Sequence, residues 1–234
     1  MTDHTLVSEA EWLTARRKLL EKEKEFTHAR ERLAEERRAL PWVEVHKKYE
    51  LQTPSGKKSL LELFGKNTQL AVYHFMFGPD WQQGCHGCSF WADSFNLIGP
   101  HLNARDVTFV AISRAPLEKL EAYKQRLGWS FDWVSAGESD FNHDFGVYFT
   151  PEEVTASKPR YNYGSTKANA PEMPGISVFC REGARIFHTY SSYSRGIDMM
   201  NTAYQFLDLT PKGRDEQALE FSMSWLKRRD EYAR

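Results

Sequence analysis

The residues best placed to do chemistry are Cys85-His86-Gly87-Cys88. Two thiols with two residues between them can close a small disulfide ring and reopen it, so the pair suits thiol–disulfide exchange. An apolar run, Leu70 to Phe77, precedes the motif, and a segment with helical character, Ser89 to Asn96, follows it. Cys85 therefore falls at a strand-to-helix turn, where the partial positive charge of a helix N-terminus favours thiolate, the reactive form. His86 stands between the thiols; protonated, it can stabilise the Cys85 thiolate, and neutral, it is a solvated loop residue. Other chemistry for the motif meets obstacles. A structural zinc site needs four ligands, and no second pair has ligand spacing. C-type haem attachment needs histidine directly after the second cysteine, where Ser89 stands.

The elements around the motif set its context. Residues 8–39 read as one long helix: Ser8 and Glu11 have capping-box spacing, and Pro41 marks the end. Trp12, Leu19, Phe26, Leu33 and Leu40 recur at every seventh position, but Ala15, Lys22, Ala29 and Glu36 make a poor second seam. This helix is either an arm packed on its own domain or a dimer arm. Residues 42–69 read as a β-hairpin turning at Pro54-Ser55-Gly56, then a helical turn. Leu70 to Phe77 has the pattern of a buried central strand. The helix after Cys88 is expected to end or kink near Gly99-Pro100. Val107 to Ser113 is the next strand; Pro116 opens a helix through Leu127, and Trp129 to Ser135 follows as a strand. Residues 140–149 are ambiguous. Residues 150–175 form a long polar loop that carries Tyr161-Asn162-Tyr163, a candidate lid over the dithiol. Ile176–Cys180 and Ala184–Tyr190 form an antiparallel hairpin, and a last helix is expected over Asp215 to Arg229. Alternating β and α segments imply parallel strands, which the late hairpin extends with antiparallel ones. The expected fold is α/β, a mixed central sheet with helices on both faces, preceded by a helical arm over residues 1–41 and filling residues 42–234.

Composition narrows the function classes. The chain has 234 residues, 41% hydrophobic and 14% aromatic, enough for a sizeable core. A net charge of -1 gives no electrostatic case for nucleic acid or an anionic membrane surface. No apolar run approaches the roughly 20 residues of a membrane helix, and residues 1–8 lack a basic then apolar leader pattern. A soluble, cytoplasmic protein is expected. Its cysteines, Cys85, Cys88 and Cys180, are too few and of the wrong parity for a secreted disulfide framework. Cys180 reads as core filler, His74 as a core histidine, and Phe90 and Trp91 as core contacts. Asp93 is either an exposed helix carboxylate or a proton acceptor near Cys88. His143-Asp144 resembles a catalytic pair only by adjacency.

The words Tyr73-His-Phe-Met-Phe-Gly78, Gly84-Cys-His-Gly-Cys-Ser-Phe-Trp-Ala-Asp93, Ser113-Arg-Ala-Pro116 and Thr210-Pro-Lys-Gly-Arg214 resemble a bacterial thioredoxin-like family, numbered 899 among domains of unknown function. The resemblance runs from about Leu40 to the C-terminus. Members are described as predicted dithiol–disulfide oxidoreductases. The resemblance implies a thioredoxin-like fold, Cys85 as nucleophile and Cys88 as resolving thiol, without organic cofactor or metal. It also places Pro174 where thioredoxin-like folds often carry a cis-proline facing the dithiol. The motif departs from thioredoxin itself, with Gly84 before Cys85 and His-Gly between the cysteines. Three functions stay open: a dithiol oxidoreductase acting on a protein or small-molecule disulfide in either direction, a peroxiredoxin-like peroxidase, and a non-enzymatic redox sensor or partner-binding protein. For the peroxidase, Gln82 stands where the activating threonine belongs, and Arg114 or Arg195 is the candidate for the required arginine.

Overall fold

The computed structural model describes residues 4–156, 161–168 and 170–233. They fall into two units, residues 1–41 and 42–234. The first unit is the helix α1 (Glu9–Arg38). Its start is the expected capping box: the Glu11 N–H donates to Ser8 Oγ at 3.4 Å, and the Ser8 N–H donates to the Glu11 carboxylate at 2.9 Å.

The second unit is built on a mixed sheet. Its elements are β1 (Val43–Glu44), β2 (Glu50–Thr53), β3 (Gly56–Ser59), α2 (Leu60–Leu63), β4 (Gln69–His74), α3 (His86–Phe95), α4 (Gly99–Asn103) and β5 (Val107–Ser113). Then come α5 (Leu117–Arg126), β6 (Asp132–Ser135), α6 (Phe141–Asp144), α7 (Pro151–Thr155), β7 (Gly175–Glu182), β8 (Arg185–Tyr193) and α8 (Thr202–Leu207). The strand order is β1-β8-β7-β4-β5-β6-β2-β3. Strands β4, β5 and β6 are parallel neighbours; β7 runs antiparallel to β4, and β8 antiparallel to β7. The inner order β8-β7-β4-β5, with the CxxC helix leaving the end of β4, is the thioredoxin-like arrangement.

Period-two alternation sorts the apolar residues onto two faces. Tyr73, Ala111 and Trp133 join Trp91, Phe95, Leu120 and Tyr123 in one core beneath α3 and α5. Leu70, Val72, Val110, Ile112 and Val134 join Leu60, Phe64 and Phe141 in the other. The first core is strongly aromatic: Phe75 and Trp133 have ring centroids 4.6 Å apart, and Tyr73 meets Phe95 edge-on at 4.9 Å.

Three expectations are corrected. The helix after the cysteines stops at Phe95; Leu97 takes a left-handed φ of 69°, and α4 begins afresh at Gly99. The long loop is not featureless, since Thr150 caps the short α7. The last helix is absent, and residues 215–228 form turns instead. Asp215 and Met223 are left-handed, with φ of 52° and 72°. The Glu216 carboxylate draws the backbone away from helix: it accepts the Met223 N–H at 3.2 Å and Trp225 Nε1–H at 2.6 Å.

Candidate functional site

Beyond His74 the chain leaves the sheet and returns as a loop over residues 78–84, pinned by Lys119 of α5, whose ammonium donates to the Pro79 and Trp81 carbonyls at 2.8 and 3.1 Å. Gly84 closes the loop where no side chain fits: a β-carbon there would lie 2.7 Å from the Phe75 ring and 3.0 Å from Tyr123. The apolar run after His74 also clasps the cysteines. The Cys85 N–H donates to the Met76 carbonyl at 3.0 Å, and the Met76 N–H points to Cys88 Sγ at 3.4 Å.

Cys85 is the N-cap of α3, and the Cys88 N–H reaches back to its Sγ at 3.5 Å. Both thiols are free. Cys85 is partly buried and Cys88 is 3% exposed, so Cys85 is the more accessible of the two and Cys88 is enclosed. Their proton affinities separate accordingly. The Cys88 thiol, donating to Cys85, is the main influence drawing Cys85 down from 9.0 to about 7. Desolvation works against it, while the backbone N–H groups of Cys88 and Gly87 and the charge of Arg228 assist. Burial is the main influence holding Cys88 well above its ordinary value, with its bond to Cys85 second. The outer sulfur is therefore the readier thiolate, and the inner one keeps its proton until deprotonated during reaction.

The side chains of Arg228, Tyr123 and Tyr73, around the cysteines, escaped sequence reasoning. Arg228, from the C-terminal segment, donates Nη2–H to the Gly84 carbonyl at 2.8 Å and Nε–H to the Tyr123 hydroxyl at 2.7 Å. The Tyr123 hydroxyl lies 2.9 Å from Ser89 Oγ, which itself donates to the Cys85 carbonyl at 2.9 Å. On the inner side the Tyr73 hydroxyl donates to the Cys88 carbonyl at 3.1 Å. Tyr161 is 1% exposed, and its acidity is suppressed by burial, with the charge of Cys88 contributing. Its hydroxyl donates to the Pro174 carbonyl at 2.9 Å and accepts the Ser194 N–H at 2.9 Å. Half of the expected aromatic lid is therefore interior packing, while Tyr163 is 73% exposed.

The other candidates disperse. His86 is exposed at the first position of α3. The peptide before Pro174 is trans, contrary to the cis expectation. Its neighbourhood holds the chain extended, with the Met173 N–H bonded to the Val147 carbonyl at 2.9 Å. Arg114 is committed to Glu172 at 2.9 Å and lies 3.4 Å over the Tyr148 ring. Arg195 pairs with Asp198 at 3.1 Å, so Arg228 is the guanidinium near Cys85. Asp93 accepts the Trp129 indole N–H at 2.7 Å. His143 Nε2 faces Glu153 at 3.1 Å and its Nδ1 lies 3.9 Å from Asp144 Oδ1, while the other Asp144 oxygen takes the Lys47 ammonium and the Tyr49 hydroxyl. His74 is buried, bonded to Ser177 Oγ at 2.8 Å and pulled down to about 3, chiefly by desolvation. Among the described residues, no three His, Cys, Asp or Glu converge as metal ligands, and no helix is long and apolar enough to cross a membrane.

Comparison with known proteins adds a family and a set of shapes. The profile of a bacterial protein family of unknown function, DUF899, matches residues 1–232. Among curated proteins none matches. The chain is similar in shape to a cysteine-to-serine mutant of peroxiredoxin Q from Xanthomonas campestris, at 16% identity over 68% of this chain and 89% of that one, with a TM-score of 0.46. It is similar to peroxidoxin BcpB from Mycobacterium tuberculosis at 14% identity over 69% and 93%, TM-score 0.48. It is also similar to the mitochondrial 2-Cys peroxiredoxin of Plasmodium falciparum at 12% identity over 71% and 91%, TM-score 0.42.

Proposed function

The chain belongs to the bacterial family DUF899, and we propose that it is a thiol–disulfide oxidoreductase whose dithiol is Cys85–Cys88. One observation carries this: Cys85 caps the N-terminus of α3 with its Sγ taking the Cys88 N–H at 3.5 Å, while Cys88, one turn on, is only 3% exposed. The Cys85 thiolate attacks one sulfur of a substrate disulfide; that S–S bond breaks, and its other sulfur leaves as thiolate. The Cys88 thiol loses its proton and attacks Cys85 Sγ, which expels the second substrate thiolate. Two electrons pass from the dithiol to the substrate, and a cellular dithiol returns them. Run backwards, the same steps oxidise a substrate dithiol. Pro174 and His86 are proposed as supporting residues, the first through Tyr161 behind the thiols and the second at the helix entrance. A reducing compartment, the cytoplasm, suits a pair that must be re-reduced.

Cys88→Ser tests the scheme, because the first step remains and the second is lost. A stable mixed disulfide on Cys85 is expected; normal turnover by that variant would contradict the two-thiol scheme.

Arg228 beside Cys85 favours a second reading, peroxide reduction. There the Cys85 thiolate would attack one peroxide oxygen; the O–O bond breaks, the other oxygen leaves as water or an alcohol, and the sulfenic acid formed condenses with the Cys88 thiol to give the disulfide and a second water. Peroxide-driven formation of the Cys85–Cys88 disulfide faster than with free cysteine would support it. The exposed apolar residues Trp12, Leu19, Phe26 and Leu33, at every seventh position of α1, support self-association as a dimer arm, which light scattering of the whole chain tests: a dimer mass is expected, and a monomer mass contradicts it.

A further inference from the structure

The C-terminal segment crosses the mouth of the dithiol. Gly87, between the cysteines, carries no β-carbon, and the space where one would lie is bounded by the Met223 methyl at 3.1 Å and Cys85 Sγ at 3.6 Å. The thioether and the outer thiol thus face one narrow gap over the first turn of α3. We propose that Met223 sets the substrate class of Cys85, admitting low-molecular-weight disulfides and turning away folded proteins. This rests on the thiol–disulfide activity proposed above.

Two anchors hold Met223 in place. Upstream, the Glu216 carboxylate accepts the Met223 N–H at 3.2 Å, Trp225 Nε1–H at 2.6 Å and the Tyr204 hydroxyl at 2.8 Å. Downstream, Arg228 is bonded to the Gly84 carbonyl at 2.8 Å, one residue before the thiol. The Trp225 ring meets Phe90 of α3 edge-on at 5.7 Å, so the segment lies against the outer side of the CxxC helix. Between the anchors Met223 is left-handed, with φ 72°, a conformation unfavourable for any residue with a β-carbon. Such strain persists only where surrounding contacts over-determine it, and it clusters where structure serves a site.

Exchange requires three sulfurs in approach, the attacking one and the two of the disulfide. A small, flexible disulfide can present its sulfurs through a gap of side-chain width. A disulfide on a folded protein brings a broad surface, on the order of 800 Å² in a stable complex, which meets Met223 before its sulfur meets Cys85. To accept it, the segment must release the Glu216 or Arg228 bonds.

The test uses full-length protein, reduced and desalted, in single-turnover oxidation. Hydroxyethyl disulfide is the small probe and insulin the protein probe, each rate divided by the dithiothreitol rate for the same disulfide. The wild type is expected to favour hydroxyethyl disulfide. Met223→Gly, which takes a positive φ without strain, and Met223→Ala are expected to raise the normalised insulin rate about tenfold and leave the small-disulfide rate nearly unchanged. Equal normalised rates in the wild type, or equal changes for both probes in the variants, would overturn the proposal. A wild type that neither disulfide oxidises would instead overturn the exchange activity itself, and the proposal with it.

Discussion

Cys88→Ala separates the electrostatic account of Cys85 from the mere presence of a thiol. In the wild type Cys85 lies at about 7 rather than 9.0, and the Cys88 thiol is the first of the groups responsible. Alanine removes the leading donor but leaves the backbone N–H groups and Arg228, so the variant's midpoint belongs between 7 and 9.0. For a rise of about one unit, the thiolate fraction at pH 7 falls roughly fivefold, from about one half to about one tenth. The more basic thiolate is also a better nucleophile, by roughly threefold per unit. The net expectation is alkylation of Cys85 roughly twofold slower at pH 7 and roughly threefold faster above pH 9, so the two pH–rate curves cross. Cys88→Ser keeps a hydroxyl donor at the same place and should stay nearer the wild type. The assay is iodoacetamide labelling from pH 5 to 10, resolved by peptide mass spectrometry so that Cys180 does not contribute. An alanine variant whose midpoint stays at the wild-type value would refute the assignment of Cys88 as the main influence.

Arg228→Met removes a cation and two hydrogen bonds from the dithiol's rim. It should raise the same Cys85 midpoint by less than Cys88→Ala does, and an unchanged midpoint would show Arg228 to be only a tether. Gly84→Ala should destabilise the protein by about 1–3 kcal/mol in urea unfolding, because its β-carbon overlaps the Phe75 ring; a neutral result would mean the loop relaxes freely. His74, pulled down to about 3, refuses a proton that the unfolded chain accepts below about 6.5. Its stabilising contribution is therefore complete above pH 6.5 and lost as pH falls toward 3, at about 1.4 kcal/mol per pH unit, with half-buried His188 acting in the same direction. The slope of unfolding free energy between pH 6.5 and 4 should be shallower in His74→Leu; an equal slope would contradict the assignment.

Local patterns were legible wherever local physics decided the outcome. Val107 to Ser113 is one strand, as its apolar run indicates, and Pro116 caps α5. The Ser8–Glu11 box begins α1. The apolar run Leu70 to Phe77 reads as strand throughout, yet the regular strand ends at His74: Phe75 still donates to the Ile112 carbonyl, but both backbone groups of Met76 turn to the cysteines. The helix expected over Asp215 to Arg229 does not form, because Glu216 binds the backbone and an indole there. A side chain that captures its own segment's backbone can override a weak local propensity. The site divides the same way. Cys85 and Cys88 announce themselves by spacing, and the helix N-terminus follows from their flanks. Arg228 lies 144 residues from the Gly84 carbonyl it binds, and no local pattern links them. Met223 comes near the cysteines only through the path of the C-terminal segment.

A redox titration of the Cys85–Cys88 pair across a glutathione series, with mass-tagged trapping of free thiols, tests the central claim most directly. The account requires one two-electron transition between a dithiol and an intramolecular Cys85–Cys88 disulfide, at a potential within the glutathione range. Failure of that disulfide to form at any poise would contradict it.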